Sequence, residues 1–528
     1  MRDLPLGINT FEIIRNNDYL YVDKTKYIYQ MFKPGQKYFL SRPRRFGKSL
    51  LVSTMENLFN GKKELFEGLY IYDKWDWDKR NPVIKLDFSE GDFATLKKLE
   101  VSLNDTLEDV AEDYDIELKR ESVPNKFGEL IKKLNKKYDK KVVVLVDEYD
   151  IPIIQNLYKF DLLDDIQNTL KSFYNVLKRR DAYIEFLFIT GVSKFANLSL
   201  FSTLNNPDDL TFEDDFACIC GYTHEELLFY FEDYIKQLQL KENLSYDDLV
   251  DKIVHWYDGY SWNGNDKVYS PYSTLKLFKS KKFKNYWIKT ATSKSLIDVF
   301  RNSDDYTEIL NPIIVNESRF DDFNYEDIDP VSFALQTGYL TIVNEEVFND
   351  IIHYKLEMPN FEVERSLFDY LLDLNVDLND FSKIRPAIIR SIKSLDNNTF
   401  QEQMKGFLAK VPSRIHLDYE FYYQSIFISW LMALGFKVNG EDSTNKGNIG
   451  MILEEKDFVV VGECKFSKMK YKSKINEPVK SFEKMICEAV NQINEKKYYE
   501  KYSNKKLYYV AFAFAGKEVE TKIFEKQG

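Results

Sequence analysis

Two short segments bring together residue types suited to holding and hydrolysing a triphosphate. Tyr38-Phe-Leu is an apolar run that reads as a strand. It leads into a loop ending in Gly47-Lys48-Ser49, then into a helical pattern with Leu51, Met55, Leu58 and Phe59 on one face and Gly61 as its stop. In that layout backbone N–H groups, an ammonium and a helix N-terminus surround phosphates. The second segment, residues 141–146 followed by Asp147 and Glu148, reads as a buried strand delivering two adjacent carboxylates at its C-terminal end. Together they imply a P-loop nucleoside triphosphatase. Arg44, Arg45, Phe46, Gly47, Lys48, Ser49 and Leu50 then form the phosphate-holding loop. Ser49 ligates magnesium directly, Asp147 holds it through water, and Glu148 orients and deprotonates the attacking water.

The elements that must position these groups are legible as an alternating α/β domain over residues 1–205. Strands are expected at 37–40, 83–88, 141–146 and 184–190, each followed by helical or loop sequence, as a parallel sheet with helices on both faces requires. The additional strand 83–88 suits the arrangement in which the phosphate-loop strand and the Asp-Glu strand are not neighbours. The last strand ends in Thr190-Gly-Val-Ser193-Lys194. We read Thr190 or Ser193 as the sensor of the γ-phosphate, although small polar residues at a strand tip also suit a plain turn.

One fixed position departs from the generic phosphate loop: a glycine is expected where this chain has Arg42. A chance Gly-Lys-Ser at a helix start is therefore the alternative reading of the first segment taken alone. Gly7-Ile-Asn-Thr-Phe-Glu12, Tyr21-Val-Asp-Lys-Thr25, Arg42-Pro-Arg-Arg-Phe-Gly-Lys-Ser49 and the Asp147-Glu-Tyr-Asp150 strand end nevertheless resemble the AAA-ATPase-like family of bacterial proteins that finish in a PD-(D/E)XK nuclease-like domain. The resemblance implies that Arg42 is a family trait, and it points to ATP with magnesium. Arg44 and Arg45 either neutralise phosphates or form salt bridges around the loop, with Asp23 and Lys24 as candidate structural partners. No arginine is assignable as a finger acting in trans, which would be worth ~10³–10⁵ in rate and would imply a homo-oligomer.

Beyond the core, residues 206–290 read as a helical or winged-helix lid. A helix starts at Thr223 with a capping acid at Glu226, and the Trp256–Tyr260 and Tyr269–Leu275 segments resemble the family's stretch after the ATPase core. His224 and His255 are read as structural. Phe216-Ala-Cys-Ile-Cys-Gly reads as an apolar strand with two buried thiols, since no second Cys or His pair stands at zinc spacing. Residues 291–400 are a mixed connecting region without an interpretable motif.

Residues 401–528 carry a second chemistry. A helix opening near Asp418 and Glu420 has Tyr419, Tyr423, Ile426, Phe427, Trp430 and Leu434 as its apolar stripe and Gly435 as its end. A hairpin follows, 447–454 and 458–466, in which Glu463 and Lys465 share one face and Cys464 takes the other. The resemblance makes Glu463 and Lys465 the Glu-x-Lys half of a nuclease site, with Gln492 on the closing helix 482–499. Where the family has Gly-Arg-x-Asp, this chain has Gly447-Asn-Ile-Gly450, so the metal-binding aspartate is absent. One unit charge about 4 Å from a divalent ion is worth on the order of several kcal/mol at an effective dielectric near 20. A weak or dead nuclease retained for binding is therefore expected. The alternatives are an active enzyme with a substitute carboxylate (Glu420, Glu441 or Asp442) and an unrelated hairpin.

The 528 residues carry a net charge of −12, which argues against a surface uniformly attractive to nucleic acid. Charge is local instead: residues 105–117 are strongly acidic on an expected exposed helix, while 465–474 carry lysines at nearly every second position. The lysine run either tracks DNA or RNA phosphates or is a solvated loop. Four cysteines form no disulfide framework, and neither a signal-peptide layout nor a membrane-spanning run is present, so a cytoplasmic protein is expected. Two functions remain open: an ATP-hydrolysing protein whose C-terminal domain contacts nucleic acid, and a nucleotide-gated scaffold that recruits a protein partner.

Overall fold

The computed structural model describes residues 1–194, 207–287, 299, 309, 313–321, 328–348, 351–367, 381–410, 420–434, 436–444, 447–472, 475–495 and 505–525. It divides into two units, Met1–Val363 and Glu364–Gly528. Asp418, Tyr419, Gly435, Lys474 and Tyr498 lie outside the described residues, as do 195–206.

The first unit is built on five strands: β1 (Lys37–Ser41), β2 (Val83–Asp87), β3 (Val142–Asp147), β4 (Ile184–Gly191) and the two-residue β5 (Asp208–Asp209). All pairings are parallel, in the order β2-β3-β4-β1-β5. β3 and β4 are buried throughout, which is why β3 reads as a continuous apolar run and β4 carries the apolar stretch Phe186–Ile189. The phosphate-loop strand β1 and the Asp-Glu strand β3 are indeed separated, but β4 lies between them, while β2 sits beyond β3 at the sheet edge.

Helices α1 (Phe11–Asn16), α2 (Thr25–Met31), α3 (Lys48–Phe59), α4 (Leu96–Asp113), α5 (Val123–Tyr138) and α6 (Phe160–Arg179) accompany the sheet. In α3 the stripe Leu51, Met55, Leu58 and Phe59 is buried as its spacing requires, and Gly61 follows the helix at φ +73°. The acidic stretch falls largely on α4, whose Leu99, Leu103, Leu107 and Ala111 face inward.

Helices α7 (His224–Tyr230), α8 (Glu232–Glu242), α9 (Tyr246–Tyr257) and α10 (Pro271–Ser280) follow in this unit. Thr223 and Glu226 form a reciprocal capping box at the start of α7. A short helix α11 (Pro330–Thr337) and an antiparallel sheet of β6 (Ile313–Asn316), β7 (Thr341–Phe348) and β8 (Ile351–Glu357), ordered β6-β8-β7, complete the unit.

The second unit opens with α12 (Phe381–Ser394), α13 (Asn397–Lys410) and α14 (Glu420–Ala433). Its sheet contains β9 (Lys437–Thr444), β10 (Gly447–Glu454) and β11 (Phe458–Phe466), followed in the chain by a separate ribbon, β12 (Met469–Lys472) and β13 (Ile475–Pro478). Helix α15 (Phe482–Glu495) and strands β14 (Lys506–Ala515) and β15 (Glu518–Phe524) finish the chain. The sheet order is β15-β14-β11-β10-β9, with β11 and β14 parallel and the other pairs antiparallel. The lysine-rich segment thus runs from the end of β11 into a β-ribbon.

Candidate nucleotide site and nuclease-like face

The first site stands where β1 gives way to α3. Gly47 takes φ +98°, a left-handed conformation that an L side chain disfavours, and so turns the chain into the helix. A Cβ built on it would meet nothing within 4 Å, so the loop is open on that side. The Lys48 ammonium is buried and donates to the carbonyl oxygens of Arg42 (2.9 Å) and Pro43 (3.1 Å). It is held across the mouth of the loop by neutral acceptors that an anion would outcompete.

Asp147 closes β3 beside this loop. Its carboxylate is buried, and neither oxygen receives a well-aligned hydrogen bond among the described residues, although the Ser49 hydroxyl lies near enough to favour the ionised form. Burial pushes its pKa up to about 6, the Ser49 hydroxyl and the Lys48 ammonium pull it down, and Glu148 and Asp87 add to the rise. Ser49, Lys48 and Glu148 thus all lie close enough to Asp147 to shift its carboxylate. Glu148 itself adopts φ +53°, an uncommon backbone state for a non-glycine residue, and its side chain is half-buried.

Thr190 and Ser193, the two sensor candidates, have different surroundings. Ser193 donates its hydroxyl to Asp150 Oδ2 at 2.8 Å, and its own N–H and that of Val192 donate to the same carboxylate. Asp150 therefore clamps the end of β4 to the Asp-Glu turn, a role the sequence reading did not assign. Only its place in the Asp147-Glu-Tyr-Asp150 cluster hinted at one. Thr190 Oγ1 is buried and without a partner among the described residues.

Arg42 is a structural anchor. Its guanidinium is fully buried, donates to the carbonyls of Ser41 (2.8 Å), Thr211 (2.8 Å) and Phe216 (3.0 Å), and stacks 4.1 Å from the centre of the Trp262 ring. Burial lowers its pKa to about 10, still cationic at neutral pH. The segment read as a strand at Phe216–Gly221 is instead a 3₁₀ turn and bends. Its backbone is spent on the loop, with Phe216 O accepting from Arg42 and Gly221 N–H donating to Phe46 O at 3.2 Å. Both thiols there are buried, and burial raises their pKa values.

The rest of the loop rests on an aromatic wall from residues 260–339. Phe46 packs edge-on against Tyr260 (4.7 Å between ring centres) and Trp262 (5.6 Å), and the Trp287 indole N–H donates to Arg44 O at 3.0 Å. Arg45, at φ +70°, lies over the Tyr272 ring at 5.4 Å. Asp23 and Lys24 are not its partners. Asp23 caps Thr25 and the N–H of Tyr70, while Lys24 binds Glu226 (2.6 Å) and Cys218 O (2.9 Å). Apart from the local Asp23–Thr25 bond, short-range sequence reading could not see these contacts, which span 47, 194 and 202 positions. His224 bonds Tyr269 Oη, and His255 stacks on Phe361.

In the second unit, β10 and β11 pair so that Met451 faces Gly462, which puts Gly450 beside Glu463. Gly450 N–H lies 3.4 Å from Glu463 Oε1, and a Cβ on Gly450 would come within 3.1 Å of Glu463 Oε2. Glu463 is buried and Lys465 half-buried two residues along the same strand. Gln424 donates to Gly450 O from α14, and α15 carries Gln492, half-buried. Glu420 starts α14, while Glu441 and Asp442 lie on β9; the side chains of all three are outside the described ones. Among the described residues no helix is long and apolar enough to cross a membrane.

Residues 5–201 match the family described as "Predicted AAA-ATPase", and residues 418–523 match the PD-(D/E)XK nuclease superfamily. The chain is also 36% identical over 458 residues to an Azotobacter chroococcum mcd 1 protein named "Uncharacterized protein in vnfD 5'region", covering 85% of this chain and 86% of that one. With Gly47-Lys48-Ser49 and Asp147-Glu148 at strand ends of the first unit's parallel sheet, and Glu463 and Lys465 on one strand of the second unit's sheet, the chain belongs to the AAA-ATPase-like family that carries a C-terminal PD-(D/E)XK nuclease-superfamily domain.

Proposed function

We propose that the first unit binds and hydrolyses ATP with magnesium, and that the second unit binds nucleic acid without cutting it efficiently. The observation that carries the first part is Asp147: a buried carboxylate that receives no well-aligned hydrogen bond among the described residues, beside Ser49 and Lys48, is costly unless a cation completes it. The open side of Gly47 and the unpartnered Thr190 hydroxyl fit the same group. Bound magnesium and ATP supply the divalent charge and the electrophilic phosphorus. Ser49 and Asp147 would hold the metal, the loop N–H groups and Lys48 the phosphates. Glu148 accepts the proton of the attacking water, and Thr190 donates to a phosphate oxygen. Asp150 keeps the Thr190–Ser193 turn in register with Glu148.

For the second part, the support is Gly450. Gly450, beside Glu463, carries no carboxylate where the family has its metal-binding aspartate, so a metal there would lack one of its charged partners. The lysine ribbon following β11 offers local positive charge for phosphates in an otherwise acidic chain.

The test is magnesium-dependent ATP turnover by the full chain, with and without DNA, beside Glu148→Gln. Turnover abolished by Glu148→Gln with nucleotide binding kept, and raised by DNA, is the expected result. Binding without turnover in the parent protein would leave the nucleotide-gated scaffold as the better reading.

A further inference from the structure

The sheet of the first unit ends at β2, and among the described residues no strand pairs with its outer side. Its inner side is fixed by two bonds: Val143 N–H donates to Pro82 O (2.9 Å), and Phe88 N–H donates to Asp147 O (3.1 Å). In a parallel ladder, alternate residues turn their backbone groups to the same neighbour. The even positions therefore face β3, and the N–H and C=O groups of Val83, Lys85 and Asp87 face outward. The Val83 N–H is taken by the Tyr114 hydroxyl at 2.8 Å, which caps the start of the edge. Beyond it the edge is open.

Proteins commonly cover such an edge. Here α4 lies beside β2, and the two line a cavity of about 690 Å³ bordered by Lys85, Asp87, Glu90, Asp105, Asp109 and Asp113. The single cation of that border, Lys85, is already bound to Glu56 at 3.1 Å. Asp105, Asp109 and Asp113 recur every fourth residue, so they form one line along α4 with steps of about 6 Å. None of the three has an ion-pair partner among the described residues, whereas Glu108 on the same helix is paired with Lys126. An extended chain repeats its side chains on one face every ~6.6–6.8 Å. The carboxylate line and a strand with a cation at every second residue therefore share a spacing.

We propose that the β2 edge takes an extended basic segment of a protein partner as an added strand, its alternate lysines or arginines facing Asp105, Asp109 and Asp113. Backbone pairing to Lys85 and Asp87 supplies the register, and the carboxylate line selects the charge and the spacing. A five-residue strand such as β2 matches an insert of about 16 Å. This surface is independent of whether the nucleotide is hydrolysed.

The test uses the full-length protein and three fluorescent peptides: one alternating lysine and valine over eight residues, one of the same composition with the lysines in a block, and the alternating peptide N-methylated at every second backbone nitrogen. Fluorescence anisotropy should show the alternating peptide binding at least about tenfold more tightly than either control. Asp105→Asn/Asp109→Asn/Asp113→Asn should abolish that preference while circular dichroism stays unchanged. Equal binding of the alternating and block peptides would reduce the groove to diffuse electrostatic attraction and overturn the proposal. So would no binding at low salt, which would leave the carboxylates as a guard that keeps other strands off the edge.

Discussion

The indole N–H of Trp287 donates to the carbonyl oxygen of Arg44 across 243 positions of sequence. Its own backbone N–H donates to Glu362 Oε1 at 2.8 Å, and Ser273 Oγ donates to Oε2 of the same buried carboxylate at 2.7 Å. The carboxylate thus fixes the indole, and the indole fixes the back of the phosphate loop. Trp287→Phe keeps an aromatic ring against Tyr339 but removes the donor, leaving the Arg44 carbonyl short of a partner. A lost hydrogen bond of this kind costs about 0.5–1.5 kcal/mol, so nucleotide Kd should rise by roughly 3–10-fold. Calorimetric titration with a non-hydrolysable nucleotide measures it. An unchanged Kd would show that the loop keeps its shape without the indole.

Arg42 stands where the generic loop has glycine, and restoring the generic residue should do harm. Arg42→Gly deletes three charge-assisted bonds and the stack on Trp262. It also strips the buried Thr211 carbonyl and the half-buried Phe216 carbonyl of a donor. We expect a loss of about 2–4 kcal/mol in the stability of the first unit, together with weaker nucleotide binding. Thermal unfolding followed by near-ultraviolet dichroism, with and without nucleotide, checks both.

Asp147 carries a pH dependence whose sign follows from burial. Its folded-state pKa of about 6 lies above its ordinary 3.8. Between those values the folded chain binds more protons than the unfolded one, so stability falls as pH rises. The loss is complete above about pH 6 and amounts to roughly 2–3 kcal/mol. Without nucleotide, Asp147→Asn should therefore melt at a higher temperature than the parent at pH 7.5, and the gap should close as pH falls towards 4. Magnesium nucleotide should shrink the gap at pH 7.5 by stabilising the parent alone. If the asparagine variant is less stable than the parent at pH 7.5 without nucleotide, the carboxylate is not held at a cost.

The strands of the first sheet were legible because β1, β3 and β4 each carry an apolar stretch, as burial on both faces requires. The placement of Lys48 and Ser49 at a helix start and of Asp147 at a strand end was legible because those signals are local in sequence. Arg42 was not, since its partners Thr211, Phe216 and Trp262 are set only by the tertiary fold. Phe216–Gly221 misled for the complementary reason: its apolar composition records packing beneath the loop, while its hydrogen bonds to Arg42 and Phe46 preclude a strand. Glu362 left no local signal, being one of several acids, with Glu357 and Glu364, in a stretch without periodicity.

Gly450 offers the sharpest test of the second unit. A Cβ there would come 3.1 Å from both Glu463 Oε2 and the Gly462 carbonyl oxygen, so a carboxylate at this position would stand beside Glu463 once these neighbours shift by a few tenths of an ångström. Without a cation, two adjacent carboxylates repel, so Gly450→Asp should lower the melting temperature of the metal-free protein. Magnesium or manganese should restore it, and should do so far less for the parent chain. With Lys465 two residues further along the strand, the variant should also nick supercoiled plasmid in a metal-dependent way. Metal-dependent stabilisation without nicking would mean that the site was rebuilt but that the groups needed for cleavage are missing. A folded variant with neither response would remove the support for reading Gly450 as the lost ligand.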